Sequence, residues 1–167
     1  MIQYPPQSDK NSEKFGLDRL LPEGGAALVT GAAHRIGKAL VLMLAASGAP
    51  VVVHYNNSRK AAEIVVAEIT NAGGRAAALS GDLADADAAA ALCKQASKAI
   101  GAPIVCLINN ASIFENDSPA SFKADDFDTN MAVHARAAAL LAQSMQNALP
   151  SGTPGVIINM LDQKTYN

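Results

Sequence analysis

Residues 26–37, Ala-Ala-Leu-Val-Thr-Gly-Ala-Ala-His-Arg-Ile-Gly, constrain this chain more than any other stretch. Ala26 to Val29 is an apolar run of strand length, Thr30 and Gly31 stop it, and Ile36 opens a long apolar segment with helical spacing. A strand that turns through glycine straight into a helix leaves the first helical N–H groups without internal partners, aimed at the turn. Together with the helix dipole they form a seat for a phosphate group.

The remainder repeats strand and then helix. The first strand is read as 26–30, and the helix after it as 36–47, with Ile36, Ala39, Leu40, Met43, Leu44 and Ser47 along one side and Gly48 closing it. Val51-Val52-Val53-His54 is too apolar to alternate, as expected of a strand buried on both faces of a parallel sheet. Further helices are predicted over 59–71, from Asp85 or Asp87 to 100, and over 125–148, with strands at 76–79, 104–108 and 156–160. The stretch 112–124 reads as a loop. This alternation implies a doubly wound, Rossmann-like α/β fold with a parallel sheet of order 3-2-1-4-5. Its ligand crevice belongs at the carboxyl ends of strands one and four, and Gly31, Tyr55, Asp82, Asn109 and Met160 fall on strand ends there. Residues 1–25, with Pro5-Pro6 and no apolar period, are expected to form a flexible leader to a domain over 26–167.

Composition narrows the function classes. A formal net charge of −2 over 167 residues gives no electrostatic reason to expect nucleic acid or an anionic membrane. No long uncharged apolar span and no signal-peptide pattern occurs. Cys93 and Cys106 do not form a CxxC pair, and Cys106 sits in a strand-like run, so a buried thiol and a reducing, cytoplasmic setting are expected. His34 and His134 lack metal-spaced partners, and no metal site is expected.

Gly31-x-x-x-Arg35-x-Gly37 is neither a P-loop nor GxGxxG. Arg35 stands where a small residue would let a pyrophosphate approach the backbone, and offers charge and a fork of donors instead. Tyr55-Asn56-Asn57-Ser58, followed by Arg59 and Lys60, contains no acidic residue to hold both ribose hydroxyls of NAD. Its amide, hydroxyl and cationic groups suit a 2′-phosphate; the plainer reading is a solvated helix start capped by Ser58. Asp82, before Leu83, either accepts from an adenine amino group or serves a turn. Two adjacent asparagines, Asn109 and Asn110, are poor strand formers, so their amides are expected to have a use. Asn130 lies within a helix, where asparagine is disfavoured, and Asp126 and Asp128 read as a solvated face.

With these motifs assembled, residues 25–162 resemble the short-chain dehydrogenase/reductase family. The resemblance rests on Thr30-Gly31-Ala32-Ala33-His34-Arg35-Ile36-Gly37, Asp82-Leu83, Asn109-Asn110-Ala111-Ser112, Asn130 and Gly155-Val156-Ile157-Ile158-Asn159, in that order. Arg35 in place of the middle glycine of TGxxxGxG, Asp162 where the family has its catalytic serine, and the His54-Tyr55-x-x-Ser58 segment are similar to the pteridine reductases. Asn57 departs from the arginine common there.

The resemblance implies NADP as cofactor and hydride transfer to a small, planar, pterin-like substrate, or to a carbonyl compound of another kind. It implies that Gly31, His34, Arg35, Ile36, Gly37, Tyr55, Asn56, Asn57, Ser58, Asp82, Leu83, Asn110, Ala111, Ser112 and Met160 bind the cofactor. Arg35 and Ser112 would line the substrate side, Asn130 would hold a water in a proton relay, and Asp162 would help a tyrosine protonate a ring nitrogen. That tyrosine, in Tyr-x-x-x-Lys, should follow Asp162 at a distance running past Asn167. The expectation is therefore an N-terminal portion of a longer, homo-oligomeric reductase; a non-catalytic dinucleotide-binding module is the alternative from another class.

Overall fold

In this computed structural model the residues described are 21–22, 24–114, 118 and 120–161. The elements run β1 (Ala26–Val29), α1 (Arg35–Ala46), β2 (Val51–Tyr55), α2 (Arg59–Asn71), β3 (Ala76–Ser80), α3 (Ala86–Ile100), β4 (Ile104–Asn109), α4 (Ala124–Met131), a π-helical turn (Ala132–Arg136), α5 (Ala137–Ala148) and β5 (Val156–Asn159). All strand pairs are parallel and the sheet order is β3-β2-β1-β4-β5, as the alternation implies.

The sheet buries both faces. Leu28, Val52 and Leu107 face α3 and α5 in one cluster with Leu92, Leu141 and Met145. Ala27, Val29, Val51 and Val53 face α1 and α2 in the other, with Val41, Leu44, Val65 and Ile69. This two-sided burial is why the central strands are continuously apolar. The β1–β4 register slips between Ala26, paired with Ile104, and Ala27, paired with Cys106. The extra residue changes the facing: Ile104 joins the α3 side and Cys106 the α1 side. Both cysteines are buried and free.

The facing of α1 departs from the sequence pattern by about one position. In α1 the buried residues are Gly37, Val41 and Leu44, while Ile36 and Met43 are about half exposed. In α2 they are Ala62, Val65 and Ile69, with Ile64 exposed. Nearly every position of α1 is apolar, so periodicity there could not choose the face; close packing of Gly37 did. Asp85, not Asp87, caps α3, its carboxylate accepting from the N–H groups of Asp87 and Ala88. The helix expected over 125–148 is interrupted: Ala137 N–H bonds Ala132 O, five residues back, and α5 resumes from there. Most of the expected leader lies outside the described residues; Leu21 packs against the α1-side cluster.

The core makes a stability prediction. Leu107, fully buried between sheet and helices, should cost about 3 kcal/mol when replaced by alanine. Ile157, about half exposed on β5, should cost under about 1 kcal/mol. Urea unfolding of Leu107→Ala and Ile157→Ala measures both.

Candidate functional site

β1 and β4 are hydrogen-bonded neighbours, and their carboxyl ends are tied together just beyond the ladder. Thr30 is buried. Its Oγ1 accepts from the N–H groups of Asn110 and Ala111, both at 2.9 Å. Asn110 answers with its side chain, Nδ2 donating to Thr30 O at 2.9 Å and Gly31 O at 3.2 Å. The amide expected to face a cofactor is thus used to lock the turn. Gly31 has φ +63°, and a Cβ there would stand 2.8 Å from Ala111 Cα. A Cβ on Gly37 would stand 2.3 Å from Gly31 O. The first turn of α1 therefore rests directly on the Gly31 peptide, which no larger residue permits.

A residue to which the sequence reading gave no role in the site completes this arrangement. His54, near the end of β2, is buried. Its Nδ1 accepts from Gly31 N–H at 3.2 Å, its Nε2 donates to Gly81 O at 3.0 Å, and its own carbonyl accepts from Ala32 N–H at 2.8 Å. The amides of Gly31 and Ala32 are consequently occupied. The free donors lie further on: among the described residues, the N–H groups of residues 34–37 have no acceptor. They open into an exposed turn. His34 precedes α1 in extended conformation with no side-chain cap bond, and Ile36 is exposed. Arg35 has φ +48°, the one non-glycine residue with positive φ among those described. That is a left-handed conformation glycine adopts without strain, which accounts for glycine being usual at this place in TGxxxGxG turns.

Beside this turn, β2 ends in half-buried Tyr55 and exposed Asn56 and Asn57. Ser58 precedes α2 without capping it through its side chain, so the hydroxyl is left available. Arg59 is drawn back along its own helix by Glu63, at 2.8 Å. Asp82 fills the turn role: Oδ1 accepts from Ala84 N–H at 2.9 Å, while the residue stays exposed. Leu83 is buried and packs in the α3-side core.

A cavity of about 560 Å³ opens between the ends of β1, β4 and β5 and the α4–π–α5 helices. Ala111, Ser112, Asn130 and Met160 line it, as does His134. Asn109 Nδ2 donates to Asn159 Oδ1 at 2.8 Å, and Met160 N–H donates to Asn109 O, prolonging the β4–β5 pairing to the cavity rim. Asn130 turns its side-chain amide to Asp126 O, one turn back at 2.8 Å. His134 makes the cross-cavity contacts instead. Its Nδ1 donates to Asn130 O at 3.1 Å, and its Nε2 accepts from Ile113 N–H at 3.3 Å and stands 3.1 Å from Ser112 Oγ. The π-helical turn that carries His134 has no marker in periodicity. Asp162 lies outside the described residues.

Burial pushes the His54 imidazole down to about 4, against the opposing pull of the Gly81 carbonyl. Its ordinary value is 6.5, so on acidification the unfolded chain takes up this proton first. The stability that neutral His54 contributes is complete above pH 6.5 and lost as pH falls towards 4. A shift of this size corresponds to at most about 3 kcal/mol. Urea midpoints measured from about pH 7.5 to about pH 5 should fall steadily, and His54→Asn, which does not titrate there, should flatten the slope.

A family profile described as "short chain dehydrogenase" matches residues 25–164. Among solved structures, FolM alternative dihydrofolate reductase 1 from Brucella canis, complexed with NADP, shares 39% identity at a TM-score of 0.80, over 86% of this chain and 57% of that one. A short chain dehydrogenase from Burkholderia cenocepacia in complex with NADP shares 37% identity at a TM-score of 0.76, over 84% and 56%. Among curated proteins, a versicolorin reductase of Emericella nidulans is 36% identical over 85% of this chain and 52% of its own length. A 3-oxoacyl-[acyl-carrier-protein] reductase of Synechocystis is 37% identical over 80% and 54%. The chain spans about half the length of the curated relatives it matches. With the profile running from the strand before the glycine turn to beyond β5, on a parallel sheet of the expected order, this chain belongs to the short-chain dehydrogenase family.

Proposed function

We propose that this chain forms the cofactor half of an NADPH-dependent reductase acting on a pterin-like or similar small planar substrate. The observation that carries the reading is the α1 turn: four N–H groups without acceptors, residues 34–37, and a cationic, exposed Arg35 held in left-handed backbone. That donor set fits a diphosphate. The β2 end fits a 2′-phosphate, because Tyr55 to Lys60 includes amides, a free hydroxyl and a lysine but no carboxylate. The NADP-bound relatives support the same cofactor.

Bound NADPH would supply a hydride at the cavity beside Ser112 and His134. The chain's own groups hold and orient. Arg35 and Ser112 would flank the substrate side, as the family resemblance implies, and Ala111 closes the wall against Gly31. Asn130 contributes its carbonyl, already tethered by His134, rather than its side chain. Asp162 would assist proton delivery, a role resting on family resemblance alone, as do the homo-oligomeric assembly and cytoplasmic location expected for the whole protein. Among the described residues no helix is long and apolar enough to cross a membrane. The named relatives also favour a second reading, a carbonyl reductase of another substrate, since they include reductases of versicolorin and of 3-oxoacyl groups on acyl carrier protein.

Three measurements on the full-length protein decide between these. NADPH should bind at least about tenfold more tightly than NADH, a difference of ~1.4 kcal/mol; equal affinities would defeat the reading of residues 55–60. NADPH oxidation should proceed with dihydropterin or dihydrofolate; turnover of neither would leave only the carbonyl reading. Arg35→Gly should hold stability or raise it by up to about 1 kcal/mol, through relief of left-handed strain. The same substitution should weaken NADPH by about tenfold or more, through loss of charge-assisted bonds.

A further inference from the structure

We infer that His54 is a positioning residue whose Nδ1, by accepting the Gly31 amide, sets the affinity of the crevice for a dinucleotide. The inference rests on the cofactor reading above and adds a residue that contacts no cofactor itself.

The argument runs outward from one imidazole. Gly31 N–H donates to Nδ1, so that nitrogen presents its lone pair. Nε2 stands 3.0 Å from a carbonyl, Gly81 O, so it carries the proton. One neutral tautomer satisfies both contacts. Through them His54 joins the glycine turn after β1 to the Gly81-Asp82 turn after β3, two loops that share no ladder because β2 lies between them.

The Gly31 end is the one that reaches the phosphate seat. Its N–H, in the peptide from Thr30, is drawn towards β2, and its C=O, in the next peptide, is held by Asn110, so the two bonds together fix the backbone angles at Gly31. Gly37 packs against that carbonyl with no room for a Cβ, so the angles at Gly31 place the start of α1. The amides of residues 34–37 follow. An unheld Gly31 could rotate its amide into the crevice, where φ near +63° costs glycine little, and the α1 turn would lose its fixed seat. The Gly81 end holds a turn whose carboxylate already makes its own local bond at Ala84 N–H, so it depends less on the imidazole.

Two near-isosteric substitutions separate the two nitrogens. His54→Asn places an acceptor where Nδ1 stands and abandons Gly81; His54→Gln reaches towards Gly81 and abandons Gly31. In the full-length protein, the NADPH dissociation constant should stay within about threefold of the parent for His54→Asn and rise at least about tenfold for His54→Gln. KM for NADPH should move likewise, with kcat at saturating cofactor changing less. A merely structural histidine would lower thermal stability in both variants and give no such ordering of affinities. Long-range 15N–1H correlation of the unsubstituted protein supplies an independent reading that no folding defect disturbs: Nε2 should carry the proton and Nδ1 should not. A proton on Nδ1, or equal loss of NADPH affinity in the two variants, would overturn the assignment while leaving the cofactor reading intact. Absence of NADPH binding by the parent would overturn both.

Discussion

The two peptides that flank Gly31 are held from three directions, and the rest of the site depends on that grip. The segment just beyond β4 holds them through Asn110, which bonds both carbonyls, and through its amides at Asn110 and Ala111, which the Thr30 hydroxyl collects. β2 holds them through His54. α1 leans on them through Gly37. Parallel strands end with their ladder groups open, and a chain leaving the sheet there must find other partners for them. Here those partners are side chains from the two neighbouring strands. The result is a turn with a fixed shape, set where the strand order reverses and where an open α/β sheet offers its crevice.

Fixing the turn divides the donors into two groups. The amides of Thr30, Gly31 and Ala32 serve the fold, and those of residues 34–37 are left without acceptors. Arg35 sits among the latter in a conformation that stores strain of about 1 kcal/mol. Its neighbours do not need its side chain for packing, since the residue is exposed. The cavity beside the turn has a different character. Its wall is built by Ala111 and Ser112 on one side and by the α4–π–α5 helices on the other, with His134 spanning them. A π-helical turn widens the helix locally and re-aims the side chains it carries, and such turns are frequent at functional sites.

Much of this was legible in the chain before any coordinates. Alternating strands and helices, with continuously apolar Val51–Val53 and Ile104–Ile108, are enough for a parallel sheet and its order. The glycine turn is legible too, because Gly31 and Gly37 stand where a helix begins. What stayed hidden has physical reasons. His54 was absorbed into an apolar strand, and a sequence shows neither that its ring lies between two turns nor which nitrogen bonds. Asn110 has a strand-end position shared by ligand-binding and structural amides, and only distance to Thr30 O and Gly31 O tells them apart. The face of α1 was misjudged because that helix is apolar nearly all round, so burial followed the close approach at Gly37 rather than hydrophobic periodicity. The interruption at Ala132–Arg136 follows from one displaced backbone bond, which leaves the side-chain pattern almost unaltered.

The most direct test is the structure of the full-length protein with NADP bound. The account places the diphosphate oxygens within about 3 Å of backbone nitrogens among residues 34–37, with the Gly31 amide still bonded to His54. A diphosphate seated elsewhere, or one that takes the Gly31 N–H from the imidazole, would contradict it.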